Sequence, residues 1–341
     1  MKLFNAMFSK VNGGLEQVFL NYTPALISQG NDVISIIHPH AQIKNACPQE
    51  NLMTVHNYNQ HDLFAILKLR RLIKSKAPEC IITHSHRAAY LFKKTRTKVP
   101  RIAVCHVKGN YNFGSDAIIA LTDQMRQDII ASGQPAETVF TVPNMIHIPE
   151  HFGYKEPEKK EKPVIGVCAR LSHIKGIDVF IEALAELKRR NIPFAAKIAG
   201  DGKEKEQYIQ LINQQGLQQE VTLLGWIEDR NAFYESIDIF CAPSREESFG
   251  LSILESMTHS LPMVLTEVSG PVDIVGNSQS ALFVPPCNPQ LMADGLEQLI
   301  KNHSLQCELA NKAFKRVQHY SSPIVGATLQ KTIEHIIRQQ K

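Results

Sequence analysis

Residues 237–255, Ile237-Asp238-Ile239-Phe240-Cys241-Ala242-Pro243-Ser244-Arg245-Glu246-Glu247-Ser248-Phe249-Gly250-Leu251-Ser252-Ile253-Leu254-Glu255, read as an apolar strand, a polar turn and the start of a helix. Backbone N–H groups at such a helix start face a bound anion, because the first turn offers them no intrahelical acceptor. Glu247 stands in the turn and Glu255 two turns into the helix, roughly 10 Å away at ~1.5 Å of rise per residue. One carboxylate can then hold a sugar hydroxyl while the other holds a ribose. Ser248 and Gly250 keep the turn small beside Phe249 and Leu251. Either glutamate alone would read as a solvated helix residue. The whole string in a strand–turn–helix setting points to a ligand site.

The same strand–loop–helix pattern occurs upstream in Gly166-Val167-Cys168-Ala169-Arg170-Leu171-Ser172-His173-Ile174-Lys175-Gly176. Arg170 and Lys175 are spaced to clamp a diphosphate, one as a planar fork and the other as a point charge. The helix that follows, 176–190, places Val179, Phe180, Ala183, Leu184 and Leu187 on one face. Strands are expected at 164–169, 194–199, 221–224, 263–265 and 281–284, with amphipathic helices at about 288–320 and 323–340.

Towards the N-terminus, residues 151–163 (HFGYKEPEKKEKP) are polar and carry two prolines, the composition of a linker. Before them the alternation resumes. Strands are expected at 3–7, 33–37, 81–83, 102–105, 117–121 and 139–142, and helices at 14–29, 62–76, 88–94 and 123–132. Alternation of this kind argues for an α/β protein of two doubly wound, Rossmann-like domains facing across a cleft, with ligands at the carboxyl ends of the strands.

Gly13 and Gly14 follow the first strand and open the first helix, where small residues let a backbone approach a ligand. No GxGxxG follows that strand, which argues against a nicotinamide-dependent oxidoreductase. His106 ends the strand 102–105. His84-Ser85-His86 ends the strand 81–83 and is placed to line a pocket in the expected cleft. His-x-His without a third ligand is a weak zinc signal, and His38-Pro39-His40 is a weaker one still. No Asp-x-Asp occurs, so a metal-bridged diphosphate is disfavoured and Arg170 with Lys175 would replace the cation.

On the Gly13-Gly14 loop, Arg170 with Lys175, Glu247-x7-Glu255 and Gly225-Trp226, the chain resembles the retaining nucleotide-sugar glycosyltransferases of family 4, with the GT-B architecture. Ser269-Gly270-Pro271-Val272-Asp273-Ile274-Val275 and Val142-Pro143-Asn144-Met145-Ile146 resemble bacterial members that build lipopolysaccharide and other surface glycans. The resemblance implies hexosyl transfer from a nucleoside diphosphate sugar, such as a UDP-sugar, to a glycan or lipid-linked acceptor. It implies that Arg170 and Lys175 meet the donor diphosphate, Glu247 the sugar hydroxyls and Glu255 the ribose. The amides of Phe249, Gly250 and Leu251 would lie near the phosphates, Trp226 near the base, and His106 against the donor sugar. It implies an acceptor domain at 1–150, completed by the helix 323–341, and a donor domain at 164–322. No cofactor or metal is expected. A nucleotide-sugar epimerase and a non-catalytic glycan-binding protein on the same scaffold are the alternatives.

Composition fits this reading. Hydrophobic residues make up 43% and charged residues 21% of 341, which excludes a disordered, collagenous or coiled-coil chain. No apolar run approaches the ~18 residues that span a bilayer, and none has signal-peptide length, so a cytoplasmic protein is expected. Seven cysteines without a CxxC read as reduced core residues. Net charge is +6 over residues 1–150 and −2 over the remainder. Basic stretches at 68–76 and 87–101 suit peripheral contact with an anionic inner-membrane face, and no nucleic-acid module accompanies them.

Overall fold

The computed structural model describes residues 1–107, 109, 111 and 113–340. Lys108, Asn110, Asn112 and Lys341 lie outside it, the last at the end of the helix expected over 323–341. The chain divides into two compact units, Met1–His147 with Tyr320–Lys341, and Ile148–His319.

In the first unit the strands are β1 (Lys2–Met7), β2 (Asp32–Ile37), β3 (Leu52–Thr54), β4 (Cys80–Thr83), β5 (Arg101–Cys105), β6 (Ala117–Ala120) and β7 (Val139–Thr141). They form one sheet in the order β3-β2-β1-β4-β5-β6-β7. Phe4 of β1 stands in parallel register with Ile34 of β2 and Ile81 of β4. Helices α1 (Gly14–Ser28), α2 (Leu63–Lys76), α3 (His86–Lys94) and α4 (Asp123–Ala131) connect them. Both faces of the central strands are covered, which is why these strands read as unbroken apolar runs. Phe4, Ile34, Ile36 and Ile81 pack with Ile66 and Leu69 of α2 and Leu91 and Phe92 of α3. Asp62, Ser85 and Thr122 cap α2, α3 and α4 by accepting from the amides of Ala65, Ala88 and Met125. The strand order reverses between β1 and β4, and ligands of open parallel sheets bind outside the carboxyl ends at such a point.

The second unit repeats the scheme with β8 (Val164–Cys168), β9 (Ala195–Ala199), β10 (Val221–Gly225), β11 (Ile239–Ala242), β12 (Met263–Thr266) and β13 (Leu282–Val284). Their order is β10-β9-β8-β11-β12-β13, with the reversal between β8 and β11. The helices are α5 (Ile177–Arg189), α6 (Lys205–Gln214), α7 (Arg230–Glu235), α8 (Leu251–Thr258), α9 (Ser269–Val275), α10 (Pro289–Lys301) and α11 (His303–Val317). The single helix expected over 288–320 is thus two. Asn302 separates them, and its side chain accepts from the Leu305 amide to cap the second. Residues 151–163 have no regular structure, yet they are fastened to this unit. Tyr154 donates to the Cys307 carbonyl at 3.2 Å, and Lys160 pairs with Asp238 at 2.7 Å.

The chain ends in α12 (Ser322–Gln339), which packs on α1 of the first unit. Gly326 makes this approach close, since a Cβ there would stand 3.4 Å from Ala25. The one strand absent from the sequence expectation is β3, three half-buried residues at the edge of the sheet. So short an edge segment, buried on neither face, carries no distinctive hydrophobic period.

Candidate active site

In the second unit the loop after β8 is clasped from both sides. Leu171 donates from its amide to the Asp201 carbonyl at 3.0 Å, and Arg245 and Glu246 donate theirs to the Ile174 carbonyl at 2.8 and 3.3 Å. The Arg245 guanidinium adds two bonds to the Asp178 carboxylate, at 2.7 and 2.6 Å, and one to the His173 carbonyl. Two glycines permit such close packing. A Cβ on Gly176 (φ +65°) would lie 2.0 Å from the Pro243 carbonyl oxygen, and one on Gly200 (φ +132°) would lie 1.9 Å from that of Ala169. Gly200-Asp201-Gly202 is therefore a backbone contact rather than a dinucleotide fingerprint.

This clasp brings Lys175 and Glu247 together. The ammonium donates directly to Glu247 Oε2, and the two side chains are about one-fifth exposed. The Gly270 amide holds the Glu247 carbonyl at 3.0 Å. Immediately beyond, Ser248 is half-buried, Phe249 is buried, Gly250 takes the N-cap position and Leu251 opens α8. Arg170 sits in the loop after β8, where its carbonyl accepts from the Ser172 amide at 2.9 Å; its side chain is exposed, with no hydrogen bond or ion pair among the described residues. Trp226 follows β10 and is 56% exposed.

Glu255, two turns into α8, accepts from Arg230 and, at 2.7 Å, from the Tyr234 hydroxyl. Burial pushes its carboxyl above the usual range, against the pull of Arg230 and Tyr234. Sequence reasoning missed Arg230 and Tyr234. Their spacing of four puts them on one face of α7, the signal that would have grouped them.

In the first unit Gly13 is the N-cap of α1 in extended conformation, φ −163°, and Gly14 is the first residue of that helix. Neither takes a positive φ. His106 follows β5, and its Nε2 lies 3.2 Å from Nδ1 of His84. The rings stack with centroids 5.3 Å apart. His84 is 0% exposed, edge-on to Tyr22 at 4.6 Å. The expectation that His84 lines an acceptor pocket is thereby corrected: it is a buried support behind His106. His86 instead stacks on Phe113 with centroids 4.2 Å apart. His38, His40 and His56 also gather, with centroids 5.1 to 6.3 Å apart. Among the described residues, however, no group of three or more His, Cys, Asp or Glu is arranged to hold a metal ion.

Burial pushes His106 down to about 3, and burial together with His106 pushes His84 well below 6.5. Unfolded chains protonate these rings below about 6.5, whereas the folded one does not until far lower pH, so stability falls as pH drops through that window. His106→Gln should therefore lose less stability than the wild type between pH 7 and pH 5, by about 1 kcal/mol or more, measured by urea unfolding.

Residues 150–316 match the family described as Glycosyl transferases group 1, and residues 12–148 match Glycosyltransferase Family 4. The lipopolysaccharide core biosynthesis glycosyltransferase LpsE of Rhizobium meliloti is 25% identical over 342 residues, covering 97% of this chain and 98% of that protein. The alpha-D-kanosaminyltransferase of Streptomyces kanamyceticus is 30% identical over 213 residues, covering 58% of this chain and 54% of that one. Among solved structures, Anabaena HepE with UDP-glucose superposes with a TM-score of 0.86 at 18% identity, covering 98% of this chain and all of that one. No helix among the described residues is long and apolar enough to cross a membrane. With two parallel-sheet units and family matches along nearly its whole length, the chain belongs to the family 4 glycosyltransferases and is a glycosyl-transferring enzyme of GT-B fold.

Proposed function

We propose that this enzyme transfers a sugar, with retention of anomeric configuration, from a nucleoside diphosphate sugar to a glycan or lipid-linked acceptor in lipopolysaccharide or surface-polysaccharide assembly. The observation that carries the donor reading is the Lys175–Glu247 pair beside the start of α8, at the strand reversal of the second unit. Cleavage of the sugar–phosphate bond leaves negative charge on the diphosphate. Lys175, Arg170 and the first-turn amides of α8 are fixed positive ends for that charge, the arrangement that commonly supplies the largest catalytic effect. Glu247 would orient sugar hydroxyls, and Glu255, braced by Arg230 and Tyr234, the ribose. The acceptor hydroxyl attacks on the face that the diphosphate leaves, and the leaving phosphate takes its proton. His106, backed by His84, would present a neutral imidazole to substrate at the carboxyl end of the first sheet. No resident metal is required on this reading.

LpsE supports the lipopolysaccharide context by its name, and HepE supports a uridine nucleotide by its bound UDP-glucose. The basic excess of residues 1–150 suits an acceptor at an anionic membrane face, each Lys or Arg near such a surface contributing about 1 kcal/mol. A thermal-shift panel of UDP, GDP, ADP and their sugars tests the donor. At 100-fold over Kd the cognate nucleotide should stabilise by about 2.7 kcal/mol, with a uridine compound giving the largest shift. A panel with no response at saturating concentrations would sink the donor reading.

A further inference from the structure

Four large apolar side chains stand in water around the start of α2: Tyr58 is 81% exposed, Leu63 72%, Phe64 87% and Leu67 49%. Leu63, Phe64 and Leu67 lie on the first turns of α2, and Tyr58 lies in the loop before it, against His56 with ring centroids 4.6 Å apart. The Asp62 carboxylate accepts from the amides of both Tyr58 and Ala65, folding the loop before α2 back onto its first turn. Contiguous exposed apolar groups of this size mark an interaction surface. The segment that follows them in the sequence is basic. Ten lysines and arginines fall between Lys68 and Lys98, against one acid, Glu79. Arg70 donates to the Lys94 and Thr95 carbonyls, holding the basic end of α3 against α2. A cavity of 170 Å³ between them is lined by Arg70, Ile73, Lys74, Thr95 and Thr97, a cationic recess of headgroup size.

An apolar tip on a strongly cationic face is the complement of an anionic lipid surface, whose interior takes the tip and whose headgroups take the charges. We propose that Tyr58, Leu63, Phe64 and Leu67 insert into the interfacial layer of an anionic bilayer while the basic residues of α2 and α3 lie on its headgroups. The inference rests on the reading of a lipid-linked acceptor and deepens it. Helix α2 follows β3, so its apolar start lies at the carboxyl end of the first sheet, the end from which His106 emerges. Insertion there would bring a membrane-held acceptor to that end.

The chain has one tryptophan, Trp226, so a Phe64→Trp, Trp226→Phe variant reports on the patch alone. Mixed with phosphatidylglycerol-containing vesicles, its emission should shift to the blue and be quenched by acyl-chain-brominated lipid. Leu63→Ser with Phe64→Ser, checked for native circular dichroism, should bind such vesicles about tenfold or more weakly. Wild-type binding should survive partly at salt concentrations that screen surface charge. Unchanged emission on vesicle binding, or serine variants that bind as well as wild type, would overturn insertion. So would an emission shift that grows with protein concentration without lipid, which would assign the patch to a second copy of the chain. The nucleotide-sugar thermal shift, measured on wild type and on the serine variants, which keep Trp226, separates the two readings. Its retention in variants that have lost vesicle binding belongs to the donor site, and its absence in wild type would count against the donor site alone.

Discussion

Lys175→Ala should slow glycosyl transfer by about 10²–10³-fold, the usual cost of removing one preorganised group that meets developing negative charge. The loss should fall mainly on kcat, because the ammonium is proposed to act on charge that appears as the sugar–phosphate bond breaks. The fold should survive the change. Lys175 and Glu247 are each about one-fifth exposed, and separating them, which leaves a part-buried carboxylate without its partner, should cost about 1–3 kcal/mol. Arg170→Ala makes the companion variant. Arg170 is exposed and holds nothing in place, so its loss should weaken the nucleotide-sugar thermal shift while leaving the melting temperature of the free enzyme unchanged. Transfer by Lys175→Ala within tenfold of wild type, measured with saturating donor, would remove the phosphate role proposed for it.

The second large effect concerns the scaffold. Gly200→Ala should destabilise the donor-side unit by about 3 kcal/mol or more, since it forces a Cβ to within 1.9 Å of the Ala169 carbonyl and strains a φ of +132°. The same change at Gly216, where φ is +66° and nothing lies within 4 Å of a Cβ, isolates the strain of the left-handed backbone at about 1 kcal/mol. At ~2–4 °C per kcal/mol for a unit of this size, the two variants should be well separated in melting temperature. Gly200→Ala should also lose the donor response, because the loop it displaces carries Arg170 and leads to Lys175. Equal melting temperatures for the two would show that the contact between the loops after β8 and β9 does not hold the site.

The polypeptide pattern reaches far into this protein. Apolar runs of four to six residues, spaced by amphipathic helices, already imply parallel sheets, because only strands buried on both faces can be so uniformly apolar. The caps Asp62, Ser85 and Thr122 mark helix starts for the same local reason, a side-chain oxygen within reach of an unsatisfied amide. The 237–255 string likewise carries its strand, turn and helix within itself. What these features share is short range: each depends on residues within a turn or two of one another.

Tertiary structure alone decided which of those pieces meet. Lys175 and Glu247 are 72 residues apart, and they touch because β11 lies next to β8 while β9 and β10 lie on its other side. Glu255 finds Arg230 and Tyr234 across two helices. His84 leaves the surface expected of it and backs His106 because β4 and β5 are neighbours. Strand order is set by how whole layers cover one another's apolar faces, a balance summed over the entire unit, and so no local window of residues records it.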